Sequence, residues 1–277
     1  VVAFGAIFFL IHSPTLGAFA CLFGGSIGLF GALRLTFAWA PRTLRTMHPA
    51  VADSSSASAL KPVHDALKKF SHPPMKTWLL PKSTFPAANA MCAGLGDRAE
   101  LFVSESLLQI LNQEELEAVV AHELAHQRLQ HVNKRLGFGF AALFGTALLS
   151  CALFVVAAQW LTPELMPILQ LGVVMICLTL PMTFLKDISI KQELEADAHA
   201  VETLQADGVA MISALKKIEQ FNFKNQPMDP SQDRAAMHPT TELRIEKIAA
   251  LNGIKEFQDF LEKSEKTSDR GDKDHAA

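Results

Sequence analysis

The 277-residue chain has no tyrosine, although it carries 19 phenylalanines and three tryptophans. No phenol is therefore available as a hydrogen-bond donor or proton source at a reactive centre. Cysteine is sparse: Cys21, Cys151 and Cys177 lie in strongly apolar runs, Cys92 stands alone, and no Cys-x-x-Cys pair occurs. That excludes a disulfide framework and a thiolate zinc knuckle, and the four read as free thiols. Charge is also scarce, at 19% of residues against 49% hydrophobic. The balance is too apolar for an ordinary soluble domain and points to a membrane protein with a soluble portion. A net charge of −3, with no global basic bias, speaks against nucleic acid as a partner.

Long stretches lack charge altogether. Val1 to Leu33 carries none, and His12-Ser13-Pro14-Thr15 is its only polar break. A bilayer core of about 30 Å takes about 20 helical residues, so Leu16 to Trp39 is expected to span it. Val1 to Ile11 is too short to span alone and reads as the remnant of a first span in a chain trimmed at its N-terminus. It does not read as a cleavable signal peptide, because no charged segment precedes it. Gly137 to Leu161 and Leu165 to Leu185 are two further charge-free runs, separated by Thr162-Pro163-Glu164. Two such runs in succession predict a membrane hairpin. Arg128, Lys134 and Arg135 precede it, Lys186 and Lys191 follow it, and its tip carries only Glu164. By the positive-inside rule the soluble portion faces the cytoplasm, with Trp39 and Trp160 near the interfaces.

The expected organisation is then a transmembrane region over 1–48, a linker over 49–59, and a soluble domain over 60–136 and 186–252. The hairpin 137–185 is inserted in that domain, and a tail over 253–277 is expected to be disordered from about residue 264. Within the domain, helical spacing predicts helices over Leu60–Phe70, Ser189–Gln205, Gly208–Phe221 and Thr240–Leu251. Short strands are expected at Thr77–Leu80, Ala90–Ala93 and Leu101–Val103, with a turn at Gly94-Leu95-Gly96-Asp97 between the last two. Ser104 caps a short helix, and Asn112 with Glu115 three residues on makes a capping-box start to the next. Asn222 to Met237 reads as a loop.

That next helix carries His122-Glu123-Leu124-Ala125-His126. Residues four apart share a helix face, so the two imidazoles project together and can hold one zinc ion, with Glu123 in reach of a water there as general base. A catalytic zinc wants three protein ligands and one open position. The metzincin pattern is excluded, because Leu129 and Val132 stand where it needs Gly and His. Glu193 and Asp197, four apart on a later helix, offer the alternative: one binds the metal and the other receives the free ring N–H of a liganding histidine. Spacing alone leaves open which does which.

The order of a His-Glu-x-x-His helix, an apolar hairpin, a Glu-x-x-Ala-Asp helix and then His238-Pro239 with Arg244 resembles the HtpX-type membrane zinc metallopeptidases, relatives of the CAAX prenyl endopeptidases. The resemblance implies a mainly α, multi-span membrane protein with a cytoplasmic zincin-like (gluzincin) domain carrying a small β-sheet. It implies one Zn2+ per chain held by His122, His126 and Glu193, Glu123 as the base, and Asp197 in support of the liganding residues. Asn89-Ala90 matches the element before an edge strand where an extended substrate pairs by strand addition. His238 and Arg244 match residues that close the site from the C-terminal side. The family commonly has Arg-Glu-Tyr around the third ligand, where this chain has Gln192-Glu193-Leu194. With no tyrosine available, His238 is the leading donor to the oxyanion of the transition state.

The function implied is an endopeptidase of the bacterial inner membrane, acting at its cytoplasmic side on polypeptides, in particular misfolded membrane proteins. Two other readings stand against it. A CAAX-type processing protease would need more spans than the roughly four counted here. A catalytically inactive zinc-binding scaffold would have no use for Glu123.

Overall fold

The computed structural model describes residues 14–48, 58–70, 75–157, 159–160, 162, 164–225 and 239–251. The first-span remnant Val1–Ile11, nearly all of the 49–59 linker, His238 and the tail 253–277 lie outside the described residues. The fold is mainly helical with one small mixed sheet. In chain order the elements are α1 (Pro14–Met47), α2 (Lys61–Lys69), β1 (Thr77–Leu80), β2 (Ala90–Ala93), β3 (Glu100–Ser104), α3 (Glu105–Ile110), α4 (Gln113–Arg128), α5 (His131–Ala157), α6 (Met166–Ala198), α7 (Gly208–Asn225) and α8 (Thr241–Leu251).

They form two compact units. The first takes its described residues from Val1–Met47, Ala93–Glu100 and Gln127–Gln192. Here α1 packs on α5 through phenylalanines: Phe23 meets Phe144 at 4.9 Å between ring centroids, and Phe30 meets Phe140 at 4.5 Å. Apolar side chains elsewhere on these helices stay bare, with Leu29, Leu33 and Phe37 on α1 and Leu148, Leu149 and Leu153 on α5 all exposed. Among the described residues, α5 is long and apolar enough to cross a membrane, with a mean hydropathy of 2.3 and only 24% of its most apolar stretch buried. Its 27 residues reach about 40 Å, ample for a core of about 30 Å. At its N-terminal end Arg135 Nε donates to Gln192 Oε1 (3.0 Å), and Gln192 Nε2 donates to the His131 carbonyl (3.2 Å). Gln192 is buried and so has its polar atoms satisfied.

The second unit takes its described residues from His48–Cys92, Leu101–His126 and Glu193–Ala277. Its sheet has the order β1-β3-β2, with β1 and β3 parallel in the register Thr77↔Leu101 to Leu80↔Ser104. The central strand β3 is buried along its whole length, as a strand covered on both faces must be. Leu101 and Val103 join Val63, Ala66 and Leu67 of α2 and Val120 and Leu124 of α4 in one core. The turn into β3 needs glycine at Gly94, whose φ of +117° leaves an added Cβ 2.8 Å from the backbone of Arg98 and Ala99.

The helix starts follow their sequence signals. Ser104 Oγ accepts from Leu107 N–H (3.2 Å) to cap α3. At α4 the Asn112 side chain accepts from Glu115 N–H (2.8 Å) while Glu115 returns the bond to Asn112 N–H (2.9 Å), a reciprocal capping box. Two outcomes differ from the sequence expectation. No separate helix begins at Ser189: α6 runs unbroken to Ala198, because nothing from Leu185 onward is Gly or Pro, and it then loosens into a π-helical turn at His199–Thr203. And α7 continues through Asn225, so Asn222 sits on a helix where a loop was expected.

Glu115 also reaches α7. It is 3% exposed, accepts from Ser213 Oγ (2.6 Å) and pairs with Lys217 Nζ (2.7 Å). Burial pushes its carboxyl up, but the hydrogen bonds from Lys217, Ser213 and the Asn112 backbone outweigh that and hold it below its usual 4.5. Glu115→Ala removes a cap and the partners of a buried carboxylate whose lysine is half-exposed, and is expected to cost about 1–2 kcal/mol at pH 7. A depressed carboxyl stabilises the fold above its unfolded value and loses that contribution as pH falls through its folded value. Thermal unfolding in detergent should therefore show a gap between wild type and variant at pH 7 that shrinks once the pH is taken below 4.5.

Candidate metal centre

Three helices of the second unit converge on one point. α4 brings His122, Glu123 and His126, the C-terminal end of α6 brings Glu193 and Asp197, and α8 brings Arg244. α4 can present polar residues inward because Ala121, Leu124 and Ala125, all fully buried, seat its remaining faces in the core. The centre is nearly closed to solvent: His122 is 8% exposed, Glu193 5% and Asp197 1%.

The donor atoms face one another. His122 Nε2 and His126 Nε2 are 3.1 Å apart, His122 Nε2 lies 3.4 Å from Glu193 Oε2, and His126 Nε2 lies 3.6 Å from Glu193 Oε1. Two ligands at zinc–nitrogen or zinc–oxygen distance and the tetrahedral angle stand about 3.3 Å apart. The three residues therefore fit a single small cation with one position left over. Glu193 lies in the cluster with the two imidazoles, and Asp197 lies behind it against His122 Nδ1.

Asp197 Oδ1 lies 2.8 Å from His122 Nδ1. That contact commits an Nδ1 proton to Asp197 and turns Nε2 toward His126 and Glu193. Arg244 grips the same carboxylate in bidentate fashion, Nε to Oδ2 at 2.8 Å and Nη2 to Oδ1 at 2.7 Å. Arg244 Nη2 also lies 3.3 Å from His122 Nδ1. Since both nitrogens donate to the shared Oδ1, we read that approach as proximity. Burial alone would lift the Asp197 carboxyl, but Arg244 and His122 outweigh it and hold it below its usual value. Burial and the Arg244 charge push the His122 imidazole down, yet Asp197 and Glu193 prevail and raise it from 6.5 to about 9.

Glu123 faces β2. Its Oε2 accepts from Cys92 N–H at 2.9 Å, tying the side chain to the edge strand of the sheet. Burial and the Glu123 charge push the Cys92 thiol well up, so it stays neutral beside the cluster. Asn89 and Ala90 lead into that strand: Asn89 is fixed through Ser104, whose N–H it accepts (2.9 Å) and whose Oγ accepts from Asn89 N–H (2.9 Å). The sequence-predicted residues His122, Glu123, His126, Glu193, Asp197, Arg244, Asn89 and Ala90 all fall in this unit, and His238 lies outside the described residues. Sequence reasoning missed Asn222, whose Oδ1 accepts from Ala88 N–H (2.9 Å) and whose Nδ2 donates to the Ala88 carbonyl (3.0 Å). A side chain that pairs with backbone 134 positions away leaves no pattern in sequence.

The chain is 28% identical over 240 residues to a protein named "Protease HtpX homolog" from Campylobacter hominis, covering 77% of this chain and 81% of that one. It is 25% identical over 236 residues to the protein of the same name from Sulfurovum sp., covering 76% and 82%. A third such homolog, from Halobacterium salinarum, is 33% identical over 135 residues, 48% of this chain and 45% of its own. Among solved structures, S. mikatae Ste24p shares the fold, with a TM-score of 0.60 at 18% identity over 88% of this chain. This chain spans 64% of that one. Residues 54–252, well over half of the chain, match Peptidase family M48, and the chain belongs to that family.

Proposed function

We propose that the chain is a zinc-dependent integral-membrane endopeptidase. The observation that carries the proposal is the trio of His122 Nε2, His126 Nε2 and the Glu193 carboxylate at 3.1–3.6 Å from one another, with Glu123 one residue from the first of them. In this reading His122, His126 and Glu193 hold the ion, and Asp197 and Arg244 fix the tautomer and orientation of His122. A zinc ion held there supplies a Lewis acid that polarises a peptide carbonyl and lowers the pKa of water to about 7.

The remaining chemistry belongs to the side chains. Glu123 takes the proton of the attacking water and hands it to the leaving amine. Its bond to Cys92 N–H keeps the carboxylate at the strand edge where an extended substrate would lie, with Asn89 and Ala90 presenting that edge. His238, the residue before Pro239, is the donor we assign to the oxyanion, because no tyrosine can fill that role.

The location follows from hydropathy. α5 meets the length and apolarity of a span, and Leu16–Trp39 with the hairpin 137–185 would complete the membrane portion. The peptidase domain, 60–136 and 186–252, would then lie on the cytoplasmic side of a bacterial inner membrane by the charge asymmetry around the hairpin. Substrates in this reading are polypeptides, with misfolded membrane proteins the class best placed to meet the site.

Glu123→Gln is expected to abolish cleavage of casein or a model membrane protein in detergent while zinc, measured by elemental analysis, stays bound. Proteolysis at the wild-type rate by that variant would overturn the reading. Glu193→Ala should instead release the metal, so that content and activity fall together. Asp197→Ala should weaken zinc affinity by about 10–100-fold, measured by competition with a chelator.

A further inference from the structure

The open edge of the sheet has an unexpected occupant. In β2, successive residues turn their N–H and C=O groups to opposite edges. Asn89 accepts from Ser104 N–H and so faces β3, which leaves Ala88, Ala90 and Cys92 facing outward. Two of these three are already engaged. Cys92 N–H is taken by Glu123 Oε2 (2.9 Å), and both backbone groups of Ala88 are taken by the amide of Asn222, at 2.9 and 3.0 Å. Asn222 thus offers Ala88 the donor and acceptor that a neighbouring strand would offer. The side chains of Ala88 and Ala90 point into the core, where the two residues are 1% and 7% exposed, so the edge presents backbone and little else. Between the two engaged positions lies Ala90, whose outward N–H and C=O meet no side-chain partner among the described residues.

We propose that Asn222 is a positioning residue that closes one end of this edge and sets the register of the substrate. By pairing with Ala88 it anchors the segment that carries Asn89 and Ala90 and denies a substrate strand any hydrogen bond beyond Ala90. An extended polypeptide then docks through a single residue's pair of bonds, a short contact that suits unfolded segments of any sequence. The inference rests on the strand-addition reading of Asn89 and Ala90.

The test uses the zinc-loaded full chain in detergent and a peptide substrate methylated at one backbone nitrogen at a time, which blocks strand pairing position by position. In the wild type, one position besides the cleaved bond should raise KM. In Asn222→Ala, KM for the unmodified peptide should rise at least fivefold with kcat within about twofold. A second methyl-sensitive position should then appear two residues from the first, as Ala88 becomes free to pair. Asn222→Asp, which keeps the acceptor and loses the donor, should behave like the alanine variant. Circular dichroism and zinc content matching the wild type show that the variants are folded. A wild-type KM and a single sensitive position in Asn222→Ala, or wild-type behaviour of Asn222→Asp, would overturn the role of Asn222 and leave strand addition standing. No sensitive position in the wild type would overturn strand addition and this inference with it.

Discussion

A carboxylate that is 1% exposed cannot remain charged inside a protein unless its lone pairs are met by donors and its charge by a cation. Asp197 is that carboxylate, and most of the centre is arranged to satisfy it. Arg244 supplies the cation with fork geometry, and His122 supplies a third donor. Each comes from a different helix, so meeting the demand of one side chain fixes α4, the end of α6 and α8 at a common point. Glu193 gains from this as well: it lies one turn before Asp197 on the same helix face, so the pairing that holds Asp197 also aims Glu193 at the two imidazoles, and Arg244 Nη1 lies 3.9 Å from its carboxylate.

The same logic recurs two turns earlier on α4. Glu115 is buried, caps the helix and draws in Ser213 and Lys217 from α7. It stands seven residues, about 10 Å, before His122. A helix gripped by buried charge at both places cannot rotate about its axis, and rotation is the motion that would swing His122 and His126 off their shared target. Two ion pairs that contribute little net stability of their own can in this way give the rigidity that a metal geometry demands.

What was legible in the sequence was local or periodic. The spacing of His122 and His126, the Ser104 cap and the Asn112–Glu115 box each involve residues within four positions, and each fold into the geometry their spacing implies. The different places of Glu193 and Asp197 were not legible from spacing, because both share one face, and only the folded helices set Glu193 against the two Nε2 atoms and Asp197 against His122 Nδ1 and Arg244. Lys217 and Ser213 could not be matched to Glu115 across about a hundred residues, since surface-like sequence gives no sign that a helix will cover it. Asn222 was invisible for a stronger reason: its partner is backbone, which every residue carries. The merging of the expected Ser189 helix into α6 reflects the absence of a stop signal, which periodicity does not register.

The charge balance of the centre explains why these residues suit a divalent cation and what that suitability costs. Glu123, Glu193 and Asp197 face a single guanidinium, so the cluster carries two negative charges beyond neutrality. A divalent ion cancels them. Without one, a proton is the nearest substitute, and Asp197 and Glu193 lift the His122 imidazole to about 9 against burial and the Arg244 charge. The proton that must leave is the one on Nε2, since Nδ1–H is committed to Asp197. A metal ion held there, as proposed, would have to displace a proton that the same carboxylates hold. Asp197 is responsible for both sides of that exchange. It fixes the ring that would bind a metal, and the charge that fixes the ring also strengthens the competing proton.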